Sequence, residues 1–131
     1  MILDQFKLTN RNALIIGGNR GLGIEMAKAL AEAGASVAVA ARDADRNAEA
    51  VSILEPLGAG KTMSVVCDVL EEDKVNQAVQ SVNEELGSID ILINSAGNAH
   101  GFDLIHEGNT DDWDSMIDIN VKGLLYVSKI I

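Results

Sequence analysis

The sequence predicts an α/β fold, a doubly wound parallel sheet in strand order 3-2-1-4. Three observations carry this expectation. Short apolar runs alternate with helical patterns along the whole chain. The runs are continuously apolar rather than alternating with polar residues, the mark of strands covered on both faces. A glycine-rich turn joins the first run directly to the first helical pattern. Right-handed crossovers between parallel strands then favour the stated order.

Ala13–Gly17 reads as a buried first strand. Leu22, Met26, Ala29, Leu30 and Ala33 recur at helical spacing, and Gly34 closes that helix. Ser36–Ala41 is the second strand. Asp43–Leu57 reads as a helix with Ala44, Ala48, Val51 and Leu54 on one face, ended by Pro56-Leu57-Gly58. Lys61–Asp68 is the third strand. Val75, Ala78, Val79, Val82 and Leu86 form a helical stripe stopped by Gly87. Ile89–Asn94 is the fourth strand, followed by a loop rich in Gly and Asn. Thr110 is placed to cap a last helix, with Asp111 and Asp112 in its positive first turn. On that helix Trp113, Met116, Ile117, Val121 and Leu124 form the apolar stripe, and Asn120 falls inside it. A carboxamide buried there must find hydrogen-bond partners. With no repeat, low-complexity segment or linker, residues 1–131 are expected to form one domain.

Bulk properties narrow the function classes. The chain has 131 residues, 47% of them hydrophobic, which suits a single core. No apolar stretch approaches the roughly 20 residues of a membrane-spanning helix. Residues 1–12 carry no signal-peptide pattern. A formal charge of −10 argues against a nucleic-acid binder and reads as a solvated surface. A small phosphorylated ligand needs only a few local groups and stays open. The single cysteine, Cys67, excludes an internal disulfide and fits a reducing cytoplasm. Beside Asp68 it reads as a small buried residue rather than a reactive thiolate. His100 and His106 read as loop surface histidines. No cysteine or acidic cluster at ligand spacing supports a metal site.

The chemistry lies in Gly17-Gly18-Asn19-Arg20-Gly21-Leu22-Gly23, with glycines spaced G-x-x-x-G-x-G. This is a variant of the common dinucleotide fingerprint. Gly17 permits a tight turn out of the strand. Gly21 lets the backbone of the Asn19–Leu22 loop approach a diphosphate without a Cβ. Gly23 allows close helix–strand packing, and the helix start supplies N–H groups and dipole. An acidic side chain at the end of the second strand would bond the ribose 2′-hydroxyl of NAD. Here that end is Ala40-Ala41-Arg42. Arg20 and Arg42 are placed to bracket a 2′-phosphate by charge-assisted hydrogen bonds, which favours NADP(H), with NAD(H) as the alternative.

Taken together these residues resemble the classical short-chain dehydrogenase/reductase family. The glycine loop is similar to that family's T-G-x-x-x-G-x-G, with Ile16 where Thr is usual. Cys67-Asp68-Val69 resembles its D-V element, whose aspartate binds adenine. Asn94-Ser95-Ala96-Gly97 resembles N-N-A-G, with Ser95 for the second Asn. Asp118-Ile119-Asn120-Val121 resembles the segment holding the family's active-site asparagine. The resemblance covers essentially the whole chain but only about the first half of a family member. It implies a Rossmann-like fold, with Gly17, Asn19, Arg20, Gly21, Leu22, Gly23, Arg42, Asp68, Val69, Asn94, Ala96 and Gly97 at the coenzyme. It also implies a catalytic-site role for Asn120, ordering a water beside the family's lysine. The reaction implied is hydride transfer between nicotinamide and a carbonyl or alcohol substrate.

The family's serine and Y-x-x-x-K pair are expected beyond this chain. Tyr126 is the one tyrosine, and Lys129 follows at i+3 rather than i+4. Tyr126-Val127-Ser128-Lys129 therefore reads as ordinary helix sequence. The expectation is an incomplete coenzyme-binding domain, truncated after the fourth strand and fourth helix and inactive alone. It would self-associate through an exposed fourth strand or last helix. A nucleotide-binding module without catalysis and a designed structural fragment remain the alternatives.

Overall fold

The computed structural model describes residues 1–58 and 60–131. Four strands, β1 (Asn12–Ile16), β2 (Ser36–Ala41), β3 (Thr62–Val66) and β4 (Ile91–Asn94), form one sheet in the order β3-β2-β1-β4. Every pairing is parallel. In the register, Leu14 stands beside Ala38 and Leu92, and Ile16 beside Ala40 and Asn94. The intervening helices are α1 (Gly21–Glu32), α2 (Ala44–Leu54) and α3 (Glu72–Leu86). After β4, α4 (Thr110–Ile117) runs through a π-helical turn at Asp118–Gly123 into α5 (Leu124–Ile130).

Successive strand residues point to opposite faces, so this apolar sheet builds two cores. Leu14, Ile16, Ala38 and Ala40 meet Val75, Ala78, Val79 and Val82 of α3 and Val127 of α5. On the other face Ala13, Ile15, Val37 and Val39 meet Ala27 and Ala31 of α1 and Ala50 and Leu54 of α2. Helices thus cover both faces, as the doubly wound expectation required. Each fully buried Val or Leu, such as Val82 or Leu54, contributes about 1.5–3 kcal/mol by burial.

Helix ends follow local chemistry. Gly34, at φ +100°, ends α1 in the left-handed region. Its N–H reaches the Ala31 carbonyl while that of Ala35 reaches Leu30, closing the last turn. Gly87, at φ +92°, stops α3. Asp43 caps α2 by accepting the N–H groups of Asp45 and Arg46.

Several expectations are corrected. β2 has the bounds read for it; β1 is shifted by one residue, starting at Asn12 with Gly17 turning out of it, while β3 leaves out Lys61, Cys67 and Asp68 and β4 begins at Ile91. In α1 the inward face is Gly23, Ala27 and Ala31, while Leu22 is 74% exposed. Packing against β1 favours the smallest residues there, which a count of larger apolar residues misses. In α2 the inward face is Asn47, Ala50 and Leu54, and the helix stops at Leu54 before a 3-10 turn through Pro56. The cap of α4 is Asn109, whose carboxamide accepts the Asp111 N–H at 2.9 Å, and Thr110 is the first helical residue. Ile117, Val121 and Leu124 are exposed rather than buried. The π-helical turn adds a residue to the ring, so beyond Asp118 a stripe counted at the α-helical period drifts off the inner face, as at Val121 and Leu124; Ile117 precedes the turn. The residues that reach inward are Gly123 and Val127.

Candidate functional site

The chain leaves β1 in one direction toward β2 and returns on the other side as β4, so a crevice opens at the carboxyl ends of these strands. A cleft of about 720 Å³ lies there, within the usual range for small-molecule sites. The glycine loop forms its floor. Gly17, at φ +75°, turns the chain out of β1 directly against the 95–96 backbone, and a Cβ on it would lie 2.9 Å from the Ala96 nitrogen. A Cβ on Gly23 would run into the Gly17 carbonyl oxygen. Glycine is what lets α1 start so close to the strand it leaves.

That helix start carries no acidic residue in its first turn, and Arg20, at the cap position, makes no side-chain capping bond. The N–H groups of Gly21, Leu22 and Gly23 have no carbonyl one turn back. Gly21 and Leu22 line a cleft together with Gly17, Asn19 and Arg20, whereas Gly23 is buried and is not part of the lining. A diphosphate fits this cradle by charge and by the space the missing side chains leave.

The end of the cleft expected to take adenosine is built from the strand termini. Arg42 follows β2, and Asp68 and Val69 follow β3; all three line the cleft. Asp68 accepts the Leu70 N–H at 3.0 Å, which holds the turn in place. Asp43 also borders the cleft, but its carboxylate is turned into the start of α2. One oxygen accepts the Asp45 and Arg46 N–H groups at 3.1 and 3.0 Å, and the other lies 3.7 Å from Arg46 Nε. Arg46 borders the cleft as well and was not legible in the sequence, because it enters only when the first turn of α2 is placed. Burial, and the neighbouring Asp68 carboxylate, push the Cys67 thiol up to about 11. It is a neutral, buried packing group, as expected from the sequence.

On the far wall Ser95, Ala96, Gly97 and Asn98 leave β4, with Ile119 above them. Asn94 does not reach the cleft lining. Its Nδ2 donates to Ser128 Oγ at 3.1 Å and ties β4 to α5. Asn120 is exposed, contrary to the buried stripe expected, because the π-helical turn swings it outward. Its carboxamide clamps the Asn98 backbone and donates to the Met116 carbonyl at 2.9 Å. Tyr126 packs against the α3-side core, and Lys129 Nζ pairs with Glu72 at 2.9 Å. His106 is exposed and His100 half-buried.

The comparisons with known proteins agree with this geometry. Residues 11–131 match the family model described as short chain dehydrogenase. The chain is 36% identical over 128 residues to gluconate 5-dehydrogenase of Gluconobacter oxydans, covering 98% of this chain and 49% of that protein. The NAD+-bound xylitol dehydrogenase structure superposes with a TM-score of 0.92 at 30% identity, over 95% of this chain and 48% of that one. An actinorhodin polyketide ketoreductase with NADPH superposes at 0.86 and 28% identity, over 92% of this chain and 45% of that one. The chain spans about half the length of the curated relatives it matches. A family match over nearly every residue, on a sheet of the same order, leads to one conclusion: this chain belongs to the short-chain dehydrogenase/reductase family of oxidoreductases.

Proposed function

We propose that residues 1–131 are the coenzyme-binding part of an NADP(H)-preferring oxidoreductase acting on a carbonyl or alcohol substrate. Relatives hold either coenzyme, NAD+ in one structure and NADPH in another. The observation that carries the preference is the end of β2. Asp43, the carboxylate that follows β2 in the chain, caps α2 through one oxygen, while Arg20, Arg42 and Arg46 border the same cleft. A 2′-phosphate finds cations there.

When bound, the coenzyme supplies or accepts hydride. The residues of this chain bind and orient it: Gly17, Asn19, Gly21, Leu22 and Gly23 at the diphosphate, and Asp68 and Val69 at the adenosine. Ala96 and Gly97 wall the cleft, Asn94 supports β4, and Asn120 fixes the loop beside the reacting end. Calorimetric titration with NADPH and then NADH tests the preference. A tenfold tighter Kd for NADPH, about 1.4 kcal/mol, is the expected result; equal affinities would refute it.

The chain alone is read as inactive. Supporting this, Tyr126 is packed in a core and Lys129 is held by Glu72, so neither is offered to a substrate. Self-association is part of the same reading. Among the described residues β4 pairs only with β1, and Ile117, Val121, Leu124 and Leu125 are exposed apolar residues on the last helical segments. Sedimentation at micromolar concentration should show dimers or larger species. The acidic composition supports a small-molecule partner rather than nucleic acid or membrane, and the buried unpaired Cys67 supports a cytoplasmic location.

A further inference from the structure

Asn47 is the one polar side chain in the buried core among the described residues, at 1% exposure. It sits on the inner face of α2 with Ala50 and Leu54. Its Nδ2 donates to the Ala41 carbonyl at 3.0 Å and to the Val65 carbonyl at 3.1 Å. Ala41 is the last residue of β2, and Val65 lies near the end of β3. Both amide hydrogens are thereby used, which fixes the carboxamide's orientation and leaves Oδ1 as an acceptor. That oxygen takes a hydrogen bond from Asn19 Nδ2 at 3.0 Å. Asn19 is the third residue of the glycine loop and lines the cleft.

An apolar side chain would fill this space without needing three partners. What the amide adds is a connection. We infer that Asn47 is a positioning residue: it locks the glycine loop, through Asn19, to the strand ends that carry Arg42 and Asp68. The loop that faces the diphosphate and the side chains that face the adenosine are then held as one unit. Because Asn47 must accept from Asn19, it also dictates that Asn19 turns its nitrogen away and keeps its own oxygen for other partners. The coenzyme consequence rests on the function proposed above; the loop geometry does not.

The test is amide hydrogen exchange on the whole chain, with Asn47→Leu, Asn19→Ala and the double variant. Exchange at Gly18–Leu22 should speed up roughly tenfold in each single variant, with the α3 amides unchanged. The double variant should be no faster than either single one, since both break the same link. Unchanged loop exchange, additive effects, or uniform acceleration across the sheet would each overturn the inference. Should Asn47→Leu fail to fold, Asn19→Ala carries the same decision, because it breaks the link from the loop side. A second arm measures NADPH binding by calorimetry, where either single variant should weaken affinity about tenfold without further loss in the double. If the unaltered chain binds neither NADPH nor NADH, the proposed function fails, while the exchange result still decides the role of Asn47.

Discussion

Asn120 grips the backbone of Asn98 at both of its polar groups. Its Oδ1 accepts the Asn98 N–H at 3.1 Å, and its Nδ2 donates to the Asn98 carbonyl at 2.7 Å. A side chain on the π-helical turn thus fixes the loop that leaves β4 and walls the cleft. Asn120→Ala should cost about 1 kcal/mol, the net worth of such hydrogen bonds where water competes. The urea midpoint should fall with little change in slope, and the Asn98 amide should exchange faster.

The glycines of the loop should not respond alike to alanine. At Gly23 a methyl group meets the Gly17 carbonyl, which is backbone and cannot yield. Gly23→Ala should cost about 1–3 kcal/mol through overpacking and abolish measurable coenzyme binding. At Gly21 nothing lies within 4 Å of an added Cβ, but φ is +55°. Gly21→Ala should cost about 1–2 kcal/mol in backbone strain alone. Thermal melts paired with titrations separate the two.

Arg42→Ala should act on one coenzyme and spare the other. The guanidinium borders the cleft at the end of β2, so its removal should weaken NADPH about tenfold and leave NADH within twofold. Parallel titrations check this, and equal losses would assign Arg42 to the adenine rather than to the phosphate.

Acid should loosen the seam between β1 and β4. Asp90 accepts the Asn12 N–H at 2.8 Å and a bond from Arg11 at 3.1 Å. The backbone N–H first, and Arg11 second, hold its carboxyl below the ordinary 3.8. A depressed folded-state value means that stability is fully present above the unfolded value and lost as pH falls through the folded one. Melting temperature should therefore drop as pH is lowered below about 4. In Asp90→Asn that part of the acid dependence should vanish.

Cys67 should be inert while the chain is folded. With its thiol raised to about 11, the thiolate fraction is negligible at pH 8. Labelling by a disulfide reagent should be slow in buffer and fast in urea. Rapid labelling of the folded chain would contradict the burial seen here.

Much of this molecule was legible from side-chain chemistry one segment at a time. The strand order followed from continuous apolar runs joined by helices, and the right-handed rule left little choice. The stripe of α3 was readable because Val75, Val79 and Val82 are large enough to mark their own face. The glycine loop was readable because a missing side chain is visible in a sequence. The inner faces of α1 and α2 were not, since Ala27, Ala31 and Ala50 declare no preference until a neighbouring strand selects them.

The sequence by itself determined the α/β class, the parallel order, the glycine loop and the basic end of β2, because each depends on residue type and spacing within one segment. Only the tertiary structure decided that Arg46 borders the cleft, that Asn94 turns to Ser128, that Asn47 joins Asn19 to two strand ends, and that a π-helical turn carries Asn120 outward to Asn98. Each of those rests on hydrogen bonds or contacts between residues far apart in the chain, and periodicity carries no information about which distant partner a polar group will meet.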